Sequence, residues 1–83
     1  KEEIEAICNK ILLNAVFDIF GKNVTIEKIQ WDNENFKLIV DSSLMGFRMW
    51  AMRNIDTVEV VKPASLRNEM IEIVKKTYKR YMT

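Results

Sequence analysis

The chain has 83 residues, of which 48% are hydrophobic and 30% are charged, a balance typical of one globular domain. Its 13 basic and 12 acidic side chains leave a net charge of +1, which excludes a long-range field that would steer nucleic acid, anionic lipid or acidic substrates. The sequence has no histidine and a single cysteine, Cys8, so it lacks the usual general base, the commonest metal ligand and any disulfide within the chain.

The composition also sets expectations about the compartment. A single unpaired cysteine indicates a reducing environment, no apolar run approaches the ~20 residues that span a bilayer, and no signal-peptide pattern follows Lys1. We therefore expect residues 1–83 to be a single domain of a larger cytoplasmic protein, without contact to a membrane.

The first predicted element is a helix over residues 2–20. Acidic residues at its start suit the positive end of a helix macrodipole, and Gly21 tolerates the conformation needed past a helix end. Leu13 and Phe17 widen its apolar stripe beyond one face. Two interpretations stay open: the helix lies in a core shared with the last helix, or its outer flank meets a second subunit or the rest of a parent protein. The stripe consists of Ile4, Ile7, Cys8, Ile11, Leu12, Ala15, Val16 and Ile19.

Two strands follow, over residues 24–31 and 36–41, and the polar segment 32–35 between them predicts a hairpin. The alternation of apolar residues changes phase near Lys28, which indicates a bulge or twist there. In the second strand, one face should point to the helices and the other away from them. The helix-facing residues are Phe36, Leu38 and Val40, and the opposite set is Lys37, Ile39 and Asp41.

A second helix is predicted over residues 44–54, with Ser42 or Ser43 as its N-cap. Leu44, Phe47, Ala51 and Ile55 share one face and should be core. Gly46 lowers helix propensity and indicates close approach of another backbone. A second face carries Met45, Met49 and Met52 with Trp50 beside them. Such a face is either an adaptable partner surface, because thioethers are flexible and polarisable, or a set of gap-fillers at the edge of the core.

The last predicted elements are a strand over residues 57–61 and a helix that begins near Pro63. Proline suits the first helical position, where its missing N–H would be unpaired anyway, and it holds Lys62 in an extended conformation. An apolar stripe at helical spacing follows, formed by Leu66, Met70, Ile73, Val74, Thr77, Tyr78 and Tyr81.

These elements give the order αββαβα. We expect an α+β fold, a ferredoxin-like sandwich of the βαββαβ type that lacks its first strand in these residues and carries an added C-terminal helix. The sheet would then have three strands and an unpaired edge, which upstream residues or a neighbouring molecule would cover.

The segment from residue 54 to residue 81 resembles the C-terminal extension, or WCX domain, of WYL-domain transcriptional regulators. In that family a strand of the type V-E-V-L-x-P runs into a helix that begins with Leu-Arg and acidic residues and ends in a basic segment with a tyrosine. Upstream, Phe20-Gly21 and the helix containing Trp50 are similar to the same domain, whereas Arg53-Asn54-Ile55-Asp56 departs from the Phe-Gly that often precedes the last strand. The matching residues are Val58, Glu59, Val60, Pro63, Leu66, Arg67, Glu69 and Tyr81.

The resemblance implies a dimerisation and effector-response domain inside a larger regulator. The parent would also contain a WYL domain and a winged helix-turn-helix, so DNA would be bound through the parent only. A homodimer and a nucleotide or oligonucleotide effector are implied, with no cofactor. Lys37, Arg48 and Arg53 are candidate contacts to an anionic effector at the seam with the WYL domain.

The partner-interface candidates in this interpretation are Met45, Met49, Met52, Trp50, Leu13 and Phe17. We expect no enzyme, no catalytic residue and no metal ligand, because acidic pairs such as Glu69 with Glu72 are explained by solvated helix faces.

An alternative function is a stand-alone ferredoxin-like module that binds RNA or, like ACT domains, a small ligand. Lys75, Lys76, Lys79 and Arg80, interleaved with Tyr78 and Tyr81, would grip phosphates and stack bases in that case. The simpler explanation is that cations at the end of a helix are favoured by its macrodipole.

Overall fold

A four-stranded antiparallel sheet and three helices form the chain in the computed structural model, which describes residues 1–83. In chain order the elements are β1 (Glu2–Asn9), a 3₁₀ turn (Lys10–Leu12), α1 (Leu13–Phe20), β2 (Val24–Ile29), β3 (Asp32–Ser42), α2 (Leu44–Arg53), β4 (Val58–Lys62) and α3 (Ala64–Met82).

The strand order across the sheet is β2-β3-β1-β4. β1 lies inside the sheet, with Ile4 opposite Val40 of β3 and Cys8 opposite Val58 of β4, and it is antiparallel to both neighbours. The connectivity βαββαβ followed by α3 confirms the α+β class and is compatible with a ferredoxin-like fold.

The predicted order αββαβα is wrong at its first element, because residues 2–9 form a strand and the helix begins only at Leu13. No strand is missing from the sheet. Ile4, Ala6 and Cys8 are fully buried at a period of two. The apolar residues from Ile4 to Ile11 also fit helical spacing, so periodicity alone cannot decide between the two structures. Pairing with β3 and β4 buries the alternate set and selects the strand.

The β2–β3 hairpin is confirmed, with its turn two residues earlier than predicted. The register shifts between Lys28 and Ile29, as expected for a bulge. Trp31 has a φ of 69°. β3 begins at Asp32, which pairs with Ile29, and the Asp32 carboxylate accepts the backbone N–H groups of Glu34 at 3.0 Å and Asn35 at 3.2 Å. Hydrogen bonds from the Asn35 side-chain amide and from Glu34 hold the pKa of Asp32 below its usual value.

The helix ends follow local chemistry. Ser43 Oγ caps α2 by accepting the N–H of Gly46 at 3.0 Å. Gly46 does not face another backbone; an added Cβ would lie 2.8 Å from Ser43 Oγ, so the glycine leaves room for the cap. Gly21 ends α1 at a φ of 72°, and its N–H donates to Phe17 O at 2.9 Å. Pro63 is predicted as the first residue of the last helix, but it has an extended conformation, and α3 begins one residue later at Ala64.

The core contains only apolar side chains and lies between the helices and one face of the sheet. Phe36, Leu38 and Val40 are buried in it, as predicted. An aromatic group fills the space between α1 and α2: the ring of Phe20 is 5.6 Å from that of Phe47. Ile55, which was expected in the core, is 41% exposed because it lies beyond the end of α2. No helix of the chain is both long and apolar enough to cross a membrane.

Candidate functional site

The corner between β4 and α3 gathers most of the residues that resemble the WCX pattern. Val58 and Val60 are buried in the sheet, and Leu66 anchors the first turn of α3 in the core. Arg67 Nη1 donates to Glu59 Oε2 at 2.9 Å and to the backbone oxygen of Val60 at 2.8 Å. Since β4 is an edge strand, Arg67 occupies a carbonyl that another strand would otherwise pair with.

A second polar contact joins this corner to the helix layer. Arg48 Nη1 of α2 lies 3.4 Å from Glu69 Oε2 of α3. Both side chains are partly exposed, so the pair orients α3 against α2 more than it stabilises the fold. The corner is therefore a structural joint, and Tyr81, the last matching residue, lies far from it at the exposed end of α3.

The three candidate effector contacts do not meet within one copy of the chain. Lys37 lies on the face of the sheet away from the helices, where its Nζ is 3.5 Å from Glu5 Oε1 and 3.8 Å from Glu27 Oε1. Arg48 and Arg53 lie in the helix layer on the other side of the sheet, and Arg48 is already paired with Glu69. A shared anion site would need groups from another domain.

The face of the sheet that no helix covers is acidic. Strand alternation and cross-strand register place Lys37 there, together with Lys62 opposite Glu5, among several carboxylates, and no aromatic side chain of the strands joins them. Such a face offers neither base stacking nor phosphate contacts. Its residues include Glu3, Glu5 and Ile7 of β1, Thr25, Glu27 and Ile29 of β2, Lys37, Ile39 and Asp41 of β3, and Glu59, Val61 and Lys62 of β4.

The outward side of α2 is apolar. Met45, Met49 and Met52 are exposed on the side opposite the buried residues of that helix, and we name these three the methionine face. Leu13 and Phe17 are exposed on α1, so five of the six predicted interface residues are accessible to a partner.

The prediction that Trp50, the sixth interface candidate, lies on the surface is wrong. It is only 7% exposed, with its ring 5.1 Å from that of Phe20 and 5.4 Å from that of Phe47. Trp50 lies on the side of α2 that faces α1, where its ring contacts Phe20 at the end of α1. Trp50 therefore belongs to the core that holds α1 and α2 together.

The far half of α3 forms a second exposed apolar surface, made by residues that the sequence predicts on the apolar stripe of the last helix. Leu66 and Met70 are buried and Ile73 packs against the core, but Val74, Tyr78 and Tyr81 are exposed. The apolar stripe of α3 extends beyond the parts of β4 and α2 against which the helix packs. A sequence signal for this exposed surface is a second line of residues spaced alternately by four and three. The line consists of Arg67, Ile71, Val74, Tyr78 and Tyr81.

An open groove of about 330 Å³ runs beside this line, between β4 and α3. Its floor is apolar and its rim carries charge on both sides. Ile55, Val58, Val60, Met70, Ile71 and Val74 form the floor, and Glu59, Arg67 and Lys75 form the rim.

The chain presents no grouped reaction centre. No cluster of three His, Cys, Asp or Glu side chains could hold a metal ion, and no polar or charged residue is buried. Cys8 is fully buried in β1, and burial raises the pKa of its thiol to about 12. The thiol is therefore neutral and shielded, which suits neither a nucleophile nor a metal ligand.

Comparison with protein-family models, with curated proteins and with solved structures finds no match to this chain.

Proposed function

We propose that the chain is an association module without catalytic activity: the C-terminal dimerisation and effector-response domain of a WYL-domain DNA-binding regulator. It would hold two copies of the parent together and transmit a signal, while the winged helix-turn-helix of the parent reads DNA. The WCX resemblance supports the family part of this proposal, and the surface chemistry supports the association part.

The observation that carries the proposal is the exposed apolar surface on two helices, which consists of the methionine face on α2 and of Val74, Tyr78 and Tyr81 on α3. Met45, Met49 and Met52 point away from the core and together expose roughly 300 Å² of flexible apolar surface, a size at which patches on monomers are often functional. Leu13 and Phe17 add exposed apolar area on α1. We propose that the methionine face packs against another folded domain of the parent.

The proposal includes a contact to an anionic effector, with Arg48 and Arg53 as its candidates and without Lys37. Lys37 lies on the opposite side of the sheet from Arg48 and Arg53, so the two arginines of α2 are the candidates for an anion at a seam between this helix layer and the WYL domain. Binding of a single-stranded oligonucleotide or a cyclic nucleotide should weaken in Arg48→Ala and Arg53→Ala. Binding that Lys37→Ala weakens equally would contradict this placement.

A fusion experiment tests the association function. The chain is joined behind a helix-turn-helix domain that binds its two-half-site operator only as a dimer. We expect the fusion to restore operator binding, and a matched fusion carrying Phe47→Ala, which removes a fully buried core ring, to lose it. A folded fusion that stays monomeric and does not bind the operator would refute the proposal.

The RNA-binding alternative predicts a different outcome. A chain that stays monomeric at high concentration and binds RNA with nanomolar affinity would favour it. The acidic sheet face, which lacks aromatic side chains, speaks against that outcome.

A further inference from the structure

We propose that the partner of α3 is a second copy of this chain, with the exposed half of each helix lying antiparallel along the other and over its groove. This inference rests on the proposed association function and deepens it, because it names the surface and the occupant. It assigns self-association to α3 and leaves the methionine face for a different domain.

The exposed half of α3 has little support from its own chain. All nine residues from 74 to 82 are exposed. Helical segments this short are marginal in water, because helix stability in proteins comes mostly from the packing of an apolar face. A partner along Val74, Tyr78 and Tyr81 would supply that packing.

The spacing of the exposed line is that of a helix–helix seam. Ile71, Val74, Tyr78 and Tyr81 follow one another at intervals of three, four and three residues, the alternation that keeps side chains facing a neighbouring helix. A two-fold axis near Lys76 places Val74 against Tyr78 of the second copy and Ile71 against Tyr81 of the second copy. One seam then serves both copies, as a two-fold interface requires.

The groove gives the tyrosine rings an apolar place to lie. In this register residues 70–82 of the two helices run beside each other, so Tyr81 lies next to Met70 and Ile71 of the second copy, where the groove floor of Ile55 and Val58 begins. Tyrosine suits such a site, since its ring packs on the apolar floor while its hydroxyl stays near the charged rim.

Charge complementarity favours the antiparallel direction. The far half of α3 carries Lys75, Lys76, Lys79 and Arg80 and no acidic residue. The groove rim carries Arg67 and Lys75 beside Glu59, and the only acidic residues of α3 are Glu69 and Glu72. A parallel pair in register would place each of these four cations opposite the same cation of the other copy, whereas the antiparallel register opposes only Lys76 to itself and sets Arg80 opposite Glu72.

The exposed area fits a small dimer. Tyr78 is 63% and Tyr81 is 84% exposed, which is roughly 300 Å² for two aromatic side chains. With Ile55, Ile71, Val74 and Met82 the apolar area is roughly 600 Å² per copy, so a dimer would bury roughly 1,200 Å², at the lower end for specific interfaces. We expect a dissociation constant on the order of micromolar.

Sedimentation equilibrium of the 83-residue chain tests the surface. The double variant Tyr78→Ser/Tyr81→Ser should raise the dimer dissociation constant on the order of a hundredfold, because buried tyrosines are frequent hot spots and each change occurs twice per dimer. A matched control, Trp31→Ala, removes another exposed aromatic side chain and should leave the dissociation constant within about threefold. Circular dichroism verifies that each variant is folded.

Cross-linking tests the direction of the helices. Ile71→Cys and Tyr81→Cys chains should form a disulfide when mixed and oxidised, and neither should cross-link efficiently alone. Native Cys8 does not interfere because it is fully buried. Cross-links that form only within each single variant would show parallel helices and overturn the inference. A wild-type chain that stays monomeric up to about 1 mM would overturn it as well.

The outcomes separate this inference from the proposed function. If the operator-binding fusion is active and the tyrosine variant leaves it active, the association function stands and the α3 surface is wrong. If the chain dimerises through α3 while the folded fusion fails to bind the operator, the surface is right and the proposed function fails.

Discussion

Replacing Arg67 should show how much a single guanidinium contributes to the joint between β4 and α3. Arg67→Met keeps the apolar stem and removes the bonds to Glu59 and to the Val60 carbonyl. The ion pair is partly exposed and should contribute at most about 1 kcal/mol. The charged bond to the carbonyl should contribute roughly 1.5 kcal/mol or more, because its loss leaves an oxygen of the buried residue Val60 without this partner. We expect a total loss of about 2 kcal/mol.

Denaturant unfolding at a concentration where the chain is monomeric measures this loss. Trp50 in the core reports unfolding, and a Trp31→Phe background removes the signal of the exposed indole. Glu59→Gln removes only the ion pair and should cost less than about 1 kcal/mol. Arg67→Lys keeps the charge without the planar guanidinium and should recover less than half of the loss. If Glu59→Gln costs as much as Arg67→Met, the carbonyl bond contributes nothing and the reasoning is wrong.

Three further changes have defined outcomes. Phe47→Ala should lower the free energy of unfolding by about 3–5 kcal/mol, since the ring is fully buried, whereas Phe17→Ala on the exposed flank of α1 should change it by less than about 1 kcal/mol in the monomer; equal effects in thermal melts would contradict the assigned core. Gly21→Ala should cost about 1–3 kcal/mol, because a φ of 72° with a ψ of −148° is a conformation that essentially only glycine adopts, although the surrounding space is open; an unchanged melting temperature would contradict this. The Cys8 thiol has a raised pKa in the folded chain, so its contribution to stability is complete below its ordinary pKa of 9.0 and falls as the pH rises from there toward about 12. The decline should approach 1.4 kcal/mol per pH unit, and Cys8→Ala should remove that part of the pH dependence in urea titrations; an identical slope in the variant would exclude the thiol as its source.

Local chemistry made several elements predictable. The hydroxyl of Ser43 and the apolar spacing after it define α2, and the alternation from Phe36 to Val40 defines the inward face of β3. Pro63 marks the corner before α3 because its ring excludes a continuous helix on its N-terminal side. In each case the deciding interactions join residues close in sequence.

The missed features depend on distant partners. Residues 2–9 fit both periods, and only their pairing with strands about thirty and fifty residues away selects β1. Trp50 is next to the methionines in sequence, but its ring is buried because it packs against Phe20 of another helix. The apolar line on α3 was visible in the sequence. How far α2 and β4 extend along the helix was not, so the sequence could not show which of these residues are buried.

The candidate site shows the same division. The exposure of Met45, Met49 and Met52 follows from their place on one helix, so it was predictable. The separation of Lys37 from Arg48 and Arg53 was also predictable, because the alternation of β3 places Lys37 on the face away from the helices. The burial of Trp50 was not, because it depends on Phe20 of α1.

The position of β1 in the middle of the sheet makes the two ends of the chain unequal. Its neighbours β3 and β4 are made later, so no complete sheet can form until about residue 62 has been synthesised. Removal of the first eight residues would leave β3 and β4 without the strand that joins them. Loss of the last nine residues would leave the interior of a single copy intact, because none of those side chains is buried.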